Sequence, residues 1–146
     1  MGEAGAIEVL IVEDSEEDLQ LALRSFRKAN FVNNVQVVRD GAEALEFLFC
    51  QERYARRRIE DISRVILLDL KLPKVDGLEV LRRIKSDPRT KVIPVVILTS
   101  SKEQRDVLAS YMTGANSYIV KPVIFDGFAR AMQDLGMYWM LLNTPP

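Results

Sequence analysis

The sequence predicts one α/β domain with a doubly wound, five-stranded parallel sheet and helices on both faces of that sheet. Three observations support this prediction. Short apolar runs alternate with longer amphipathic stretches, which is the pattern of repeated βα units. Most of these runs are apolar at nearly every position, as strands covered on both faces should be. A chain of 146 residues fits one domain and can bury a core without disulfides or metals.

Five short runs are the predicted strands. The second run is more mixed in polarity than the first, third and fourth, so it is expected near an edge of the sheet. The runs are Glu8–Val12, Val35–Arg39, Val65–Asp69, Val95–Thr99 and Tyr118–Val120.

Five amphipathic stretches are the predicted helices, and their ends carry local start and stop signals. The first follows Ser15, a plausible N-cap, and the second opens at Asp40-Gly41 with Ala42, Leu45, Leu48 and Phe49 on its apolar side. The third runs from Asp76-Gly77 to Asp87-Pro88, and the fourth runs from Lys102 to Met112 before Gly114. The last starts near Phe125 and continues past Gly136 into Met137–Leu142. The arginine-rich segment Arg53–Arg64 is interpreted as a solvated extension of the second helix rather than as a phosphate or nucleic-acid patch.

Composition excludes several classes of function. The chain has 20 basic and 21 acidic residues and a net charge of −1, which argues against a general nucleic-acid-binding field. It has no histidine, so imidazole bases and His-based metal motifs are excluded. One cysteine, Cys50, allows no intramolecular disulfide and agrees with a reducing compartment. The start lacks the apolar core of a signal peptide and no stretch is long enough to span a membrane, so we expect a cytoplasmic protein.

Charged and hydroxyl side chains stand at the ends of four predicted strands. Glu13 and Asp14 follow the first strand, Asp69 ends the third, Thr99 ends the fourth and Lys121 follows the fifth. In a doubly wound sheet the carboxyl ends of the strands share one edge, where ligands bind. Folding does not require such a cluster, because crowded carboxylates repel and desolvated charge is costly. The pattern therefore predicts a site that holds a cation and a phosphoryl group.

The residue types fit phosphoryl chemistry. Carboxylate oxygens suit Mg²⁺, which binds carboxylates, a carbonyl and several waters. A carboxylate held against Mg²⁺ stays ionised and can attack a phosphoryl group as a nucleophile. The Lys121 ammonium and the Thr99 hydroxyl can then stabilise charge on the phosphoryl oxygens.

Four motifs in this chain carry a resemblance to a known family. They are Val-Glu-Asp-Ser, Leu-Leu-Asp-Leu-Lys-Leu-Pro with Asp-Gly downstream, Leu-Thr-Ser, and Tyr-Ile-Val-Lys-Pro. In this order and spacing they resemble the receiver domains of two-component response regulators over residues 7–135. The apolar tail after residue 135 resembles the tails of stand-alone regulators associated with bacterial and cyanobacterial phytochromes, which form dimers through this region. The resemblance implies a flavodoxin-like fold with strand order 2-1-3-4-5.

The resemblance also implies a role for each site residue. Asp69 would accept a phosphoryl group from a histidine kinase, with a bacterial phytochrome as one candidate. Mg²⁺ would be bound by Glu13, Asp14, Asp69 and the backbone carbonyl of Lys71. Thr99 and Lys121 would contact the phosphoryl group, and the bond from Lys121 to Pro122 would be cis. Thr99 and Tyr118 would form a conformational switch. The protein would not be an enzyme beyond catalysing its own phosphorylation and dephosphorylation.

The C-terminal segment 136–146 is apolar beyond the usual end of a receiver. Six consecutive large apolar residues cannot all face the core of their own helix, so we expect a dimerisation arm in a homodimer. Its contact residues would be Tyr138, Trp139, Leu141 and Leu142. A tail folded back on its own domain is the alternative.

Two other functions remain open at this point. A phosphohydrolase of the haloacid-dehalogenase type also forms an aspartyl phosphate, but it carries a second Asp two residues after the nucleophile, where this chain has Lys71. A degenerate receiver that only scaffolds would lack acidic, acceptor or lysine positions, and none is lost. With no output domain expected after residue 135, signalling would proceed by protein contact or by onward phosphotransfer.

Overall fold

The fold is a five-stranded parallel sheet covered by helices on both faces. The computed structural model describes residues 9–28, 35–59, 63, 65–100 and 104–135. The strands are β1 (Val9–Val12), β2 (Val35–Val38), β3 (Val65–Asp69), β4 (Val95–Thr99) and β5 (Ser117–Val120). Their order is β2-β1-β3-β4-β5, and every neighbouring pair is parallel. The predicted fold class and strand order are confirmed, and the mixed second strand lies at an edge.

Within the described ranges, five helices connect or follow the strands. They are α1 (Glu16–Lys28), α2 (Gly41–Leu48), α3 (Gly77–Ser86), α4 (Gln104–Thr113) and α5 (Phe125–Asp134). A 3-10 turn, Glu52–Tyr54, lies between α2 and β3. No helix in the described ranges has the length and apolarity needed to cross a membrane.

Side chains of β1 alternate between two cores. Val9 and Ile11 pack with residues of α1 and α5, whereas Leu10 and Val12 pack with residues of α2 and α3. All four side chains are fully buried. This alternation follows from the two-residue period of a strand, and burial on both faces explains why the strands are apolar throughout.

Capping hydrogen bonds confirm the predicted starts of α1, α2 and α3. The Ser15 hydroxyl accepts a hydrogen bond from the backbone N–H of Asp18 at 3.3 Å. Asp40 and Asp76 cap α2 and α3 in the same way, each accepting from the N–H three residues later. At the C-terminal end of α4, the predicted stop residue Gly114 has φ +118°, a left-handed conformation that favours glycine.

The predicted helical extension over Arg53–Arg64 is wrong for the part of that stretch that the structure describes, residues 53–59 and 63. Helix α2 ends at Leu48, and Cys50 and Glu52 then have φ of +56° and +48°. These left-handed conformations cannot continue a right-handed helix. The chain therefore turns, and the Tyr54 hydroxyl anchors the turn by donating to Glu43 Oε2 at 2.6 Å. Cys50 lies half-buried in this turn rather than on a helix.

The predicted C-terminal arm, residues 136–146, lies outside the described residues, as do the proposed contact residues within it. Helix α5 is described to Asp134, with Leu135 as its C-cap. The receiver domain was predicted over residues 7–135. Its last residue, 135, is also the last described residue, whereas its first two, 7 and 8, lie outside the described residues.

Candidate functional site

The residues predicted at the strand ends converge on one edge of the sheet. Strand β3 is central, with β1 on one side and β4 on the other. Asp69 is the last residue of β3 and lies opposite Leu98, while Thr99 of β4 lies opposite Val120 of β5. This register places the acidic residues after β1 next to Asp69. It also places Lys121, which follows β5, next to Thr99.

The Lys121 ammonium is the centre of the cluster. Its Nζ lies 2.9 Å from Glu13 Oε1, 3.0 Å from Asp18 Oδ2 and 3.0 Å from Asp69 Oδ2. An ammonium has three N–H donors, and here they meet three different carboxylates. One cation therefore neutralises part of the charge of a crowded acidic site.

Asp69 is held by both of its carboxylate oxygens. Oδ2 accepts from Lys121 and Oδ1 accepts from the backbone N–H of Lys71 at 3.2 Å. The residue is only 5% exposed. Lys71 itself is exposed in the loop after β3, so the metal-binding role of its carbonyl stays a prediction.

Glu13 is the most buried carboxylate of the cluster, at 1% exposure. Burial and the nearby Asp69 charge raise the pKa of Glu13 to about 7, against the opposing effect of Lys121. Although Glu13 Oε1 lies close to Lys121, it receives no hydrogen bond of good geometry from the described residues. A buried carboxylate oxygen with a free lone pair is suited to ligate a cation.

The charge state of Lys121 follows from the same contacts. Burial alone would lower the pKa of Lys121, but its hydrogen bonds to Glu13, Asp18 and Asp69 raise that pKa well above its usual range. The side chain therefore stays cationic and available to pair with an anion.

The acidic residues fit a divalent metal. Ligand atoms of Glu13, Asp14 and Asp69 all lie within 4.8 Å of one another. Asp14 is exposed and lines a cavity of about 500 Å³ together with Lys71 and Asp76. A cation held here would thus have two buried carboxylates, one exposed carboxylate and access to water, which is the environment that Mg²⁺ or Mn²⁺ favours.

The two predicted switch residues lie at different depths. Thr99 is 3% exposed, and its carbonyl accepts the backbone N–H of Lys121 at 2.8 Å. Tyr118 is 40% exposed, and its ring meets that of Tyr111 edge-on at a centroid distance of 6.1 Å. The tyrosine ring therefore lies on the outer surface beside α4, and the switch role of the pair stays a prediction. The Lys121–Pro122 bond is cis, as predicted.

Asp18 is the site residue that sequence reasoning missed. Its backbone N–H donates to the N-cap Ser15 at the start of α1. Its side chain nevertheless reaches Lys121 across the edge of the sheet. The signal that points to it is position: Asp18 comes four residues after Asp14, one turn into a helix that starts at the site.

A family model decides which class of proteins this site belongs to. The model for the response regulator receiver domain matches residues 9–133 of this chain. The chain belongs to the response regulator receiver domain family. It is therefore a receiver of the two-component class rather than a phosphohydrolase of the haloacid-dehalogenase type.

Curated relatives and solved structures of receivers extend this assignment. The response regulator Rcp1 of Synechocystis sp. is 37% identical over 138 residues, which cover 94% of this chain and 92% of Rcp1. The solved bacteriophytochrome response regulator RtBRR is 49% identical and superposes with a TM-score of 0.85, covering 97% of this chain and 84% of RtBRR. The predicted resemblance to phytochrome-associated regulators is confirmed.

Two further solved structures bear on the chemistry of receivers like this one. One is a Mn²⁺-bound form of Rcp1, 36% identical, with a TM-score of 0.73 and coverage of 96% of this chain and 99% of Rcp1. The other is the phosphorylated cyanobacterial phytochrome response regulator RcpA, 35% identical, with a TM-score of 0.77 and coverage of 97% of this chain and 99% of RcpA. The acidic cluster of this receiver fits a divalent metal of the kind bound in Rcp1.

Proposed function

We propose that this receiver accepts a phosphoryl group on Asp69 from a histidine kinase in a Mg²⁺-dependent reaction. The observation that carries the proposal is the placement of the Asp69 carboxylate between an acidic metal-binding set and the Lys121 ammonium, 3.0 Å away. An Asp69 oxygen forms the new P–O bond as the P–N bond to the donor imidazole breaks. The departing imidazole nitrogen keeps the electron pair of that bond.

The metal would be held by Glu13, Asp14, Asp69 and the backbone carbonyl of Lys71. When bound, Mg²⁺ supplies positive charge to the phosphoryl oxygens. The buried carboxylate of Glu13 would contribute Oε1, which accepts no hydrogen bond from the described residues, and the exposed Asp14 leaves room for water. Because Lys71 Nζ is not needed for this set, its backbone alone would take part.

Lys121 and Thr99 would stabilise the phosphorylated state. The Lys121 ammonium is already within 3.0 Å of Asp69 Oδ2 and would pair with a phosphoryl oxygen. The Thr99 hydroxyl would move to a second phosphoryl oxygen, and the Tyr118 ring would turn inward behind it. Such a change would alter the surface formed by α4, β5 and α5 and hence its partners.

Relatives support the metal and phosphoryl parts of this proposal. Rcp1 has been solved with Mn²⁺ and RcpA in a phosphorylated form, and both align with nearly the whole of this chain. By analogy with these phytochrome response regulators, the kinase would be a phytochrome or a similar sensor. We place the reaction in the cytoplasm, since the single thiol of Cys50 suits a reducing compartment. The protein would turn over no phosphate ester and would hydrolyse only its own acyl phosphate.

Labelling with a small phosphodonor tests the proposal. Wild-type protein incubated with acetyl phosphate and Mg²⁺ should gain one acid-stable, base-labile phosphoryl group, and EDTA should prevent this. Asp69→Asn should gain none. Asp126→Asn is the matched control, because it makes the same chemical change at an exposed position of α5 and should be labelled like wild type. Equal labelling of Asp69→Asn and wild type would contradict the assignment.

We further propose that residues 136–146 form an arm that contacts a second copy of the chain. The support is compositional: Tyr138, Trp139, Leu141 and Leu142 belong to a run of six large apolar residues. A homodimer of this kind would let the state of one receiver affect its partner. Signalling would then use this assembly, another protein contact or phosphotransfer to a further carrier.

Sedimentation velocity tests the arm. The double variant Trp139→Ser/Leu142→Ser should be monomeric at concentrations where wild type is dimeric, because it removes two apolar side chains of the proposed contact. Met112→Ser is the control: it replaces an 80% exposed side chain on α4 and should leave the dimer intact. A dimer lost with Met112→Ser but kept in the arm variant would contradict the proposal.

A further inference from the structure

Asp18 is a carboxylate beside the site that no receiver motif quoted above includes. It lies in the first turn of α1, and its Oδ2 is 3.0 Å from Lys121 Nζ. The side chains of Lys121 and Asp18 are 10% and 26% exposed, so the pair is partly shielded from water. Among the described residues, no other side chain is recorded as a partner of the Asp18 carboxylate.

Asp18 differs from the other two carboxylates on Lys121 because it is not in the metal-binding set. That set consists of Glu13, Asp14 and Asp69. A divalent cation held by the set would take over Glu13 and Asp69 from the ammonium as their counter-charge. Asp18 would still face Lys121, and it would then be the ammonium's remaining carboxylate among the three.

Phosphorylation of Asp69 would bring new anionic oxygens into competition with Asp18 for the Lys121 ammonium. The phosphoryl group adds oxygens that attract the ammonium from the Asp69 side of the site. Lys121 must then divide its three N–H donors between these oxygens and Asp18. A carboxylate that competes for the same cation lowers the net gain from the Lys121–phosphoryl contact.

We propose that Asp18 is a positioning residue that retains the Lys121 ammonium and opposes its transfer to the phosphoryl group. This inference rests on the proposed function of Asp69. Asp18 acts only through Lys121, and it thereby sets how far the receiver shifts toward its phosphorylated-type state. Replacing the carboxylate by an isosteric amide removes the competing charge while it keeps the side-chain volume.

The test uses beryllofluoride, a stable mimic of a phosphoryl group on Asp69. Its affinity for the full chain is measured by fluorine NMR at saturating Mg²⁺. We expect Asp18→Asn to bind about fivefold more tightly than wild type, the scale of a partly exposed ion pair. Glu17→Gln is the matched control, because it removes the same charge from an exposed neighbouring position on α1 and should change affinity little.

A second background separates positioning from a general effect on α1. In Lys121→Met, or in Lys121→Gln if that variant is more stable, Asp18→Asn should have no effect on beryllofluoride affinity. Three outcomes would overturn this inference and leave the proposed function of Asp69 intact. The first is an unchanged or weaker beryllofluoride affinity in Asp18→Asn, and the second is a change in affinity no larger than in Glu17→Gln. The third is an equal change in affinity when Asp18→Asn is made in the Lys121 variant. If wild type binds no beryllofluoride, the proposed function fails and this inference fails with it.

Discussion

At the scale of single residues, the site is governed by how one cation balances several anions. The Lys121 ammonium contacts three carboxylates, two of which are almost fully buried. Buried charges persist in a fold only when they are paired or bound to a metal. Lys121 and a divalent cation bound at the proposed site would therefore compete for Glu13 and Asp69.

Removal of that ammonium should have opposite effects on stability and on metal binding. Lys121→Met should lower the free energy of unfolding in EDTA by about 3 kcal/mol, because two buried carboxylates lose their counter-charge. The same variant should bind Mg²⁺ more tightly than wild type, because the competing cation is gone. Urea unfolding in EDTA and a Mg²⁺ titration by calorimetry measure the two effects.

Lys71→Met is the matched control for this prediction. It removes a positive charge from an exposed side chain in the loop after β3, and it should leave both quantities near their wild-type values. Weaker Mg²⁺ binding in Lys121→Met would show that the ammonium supports the metal site instead of competing with it.

Sequence reasoning found the residues whose role depends on strand position and missed the one that depends on a helix. Asp69, Thr99 and Lys121 were predictable, because parallel strands present their carboxyl ends at one edge. Asp18 has only a weak positional signal, one turn after Asp14, because an acidic residue in the first turn of a helix is already explained by the helix dipole. Only the three-dimensional path of α1 shows that this side chain reaches Lys121.

At the scale of elements, the loop from β3 to α3 fixes the position of Asp69. The backbone N–H of Gly77 donates to the carbonyl of Leu70 at 2.9 Å, which closes the loop against the strand end. A Cβ at Gly77 would lie 2.2 Å from the carbonyl oxygen of Asp69 and 2.6 Å from Leu70 Cα. These atoms are backbone, so they cannot move aside without displacing the site.

Gly77→Ala should therefore destabilise the protein by about 2 kcal/mol, although alanine usually favours a helix over glycine. Gly127→Ala is the matched substitution in α5, where the new Cβ would meet Ile119 Cγ2 at an ordinary 3.7 Å. That variant should be stabilised by about 0.5 kcal/mol. Urea unfolding of the two variants measures this difference in sign, and stabilisation by Gly77→Ala would refute the close approach.

The turn after α2 gives a pH-dependent contribution to stability. Burial and the hydrogen bond to Glu43 raise the pKa of Tyr54 to about 12. A group whose pKa is raised in the folded state stabilises the fold below its unfolded pKa, near 10, and loses that contribution as pH rises toward 12.

Tyr54→Phe should thus be less stable than wild type by about 1 kcal/mol at pH 8, and this difference should shrink between pH 10 and 12. Urea unfolding of both proteins across this range measures the difference, and the other tyrosines cancel because both proteins retain them. A difference that stays constant with pH would contradict the role of the phenol hydrogen.

Helix α2 shows where periodicity is insufficient. The sequence predicted an apolar side of Ala42, Leu45, Leu48 and Phe49, but the buried side chains are Ala44, Phe47 and Leu48. Of the predicted apolar side, Leu48 is buried, and Leu45 and the C-cap Phe49 are partly buried against the same core. The choice of the deeper side depends on how the helix packs on the sheet, which spacing alone does not encode.

At the scale of the whole molecule, strand order turns separate residues into one site. The order β2-β1-β3-β4-β5 places β3 between the strand that precedes Glu13 and the strand that ends in Thr99. The alternation of strands and helices predicts the doubly wound class, because right-handed crossovers leave few arrangements. The strand order itself was predicted from the resemblance to receiver domains. The path of residues 49–59 was not predictable, since positive φ at Cys50 and Glu52 carries no clear sequence signal.

Asp69 is proposed to be the residue that carries the phosphoryl group. Borohydride reduces an aspartyl phosphate to homoserine, so peptide mass mapping after treatment with acetyl phosphate, Mg²⁺ and borohydride locates the acceptor. We predict homoserine at position 69, dependent on both phosphodonor and metal. Homoserine at position 14 or 18, or at no position at all, would contradict the assignment of Asp69 as the phosphoryl acceptor.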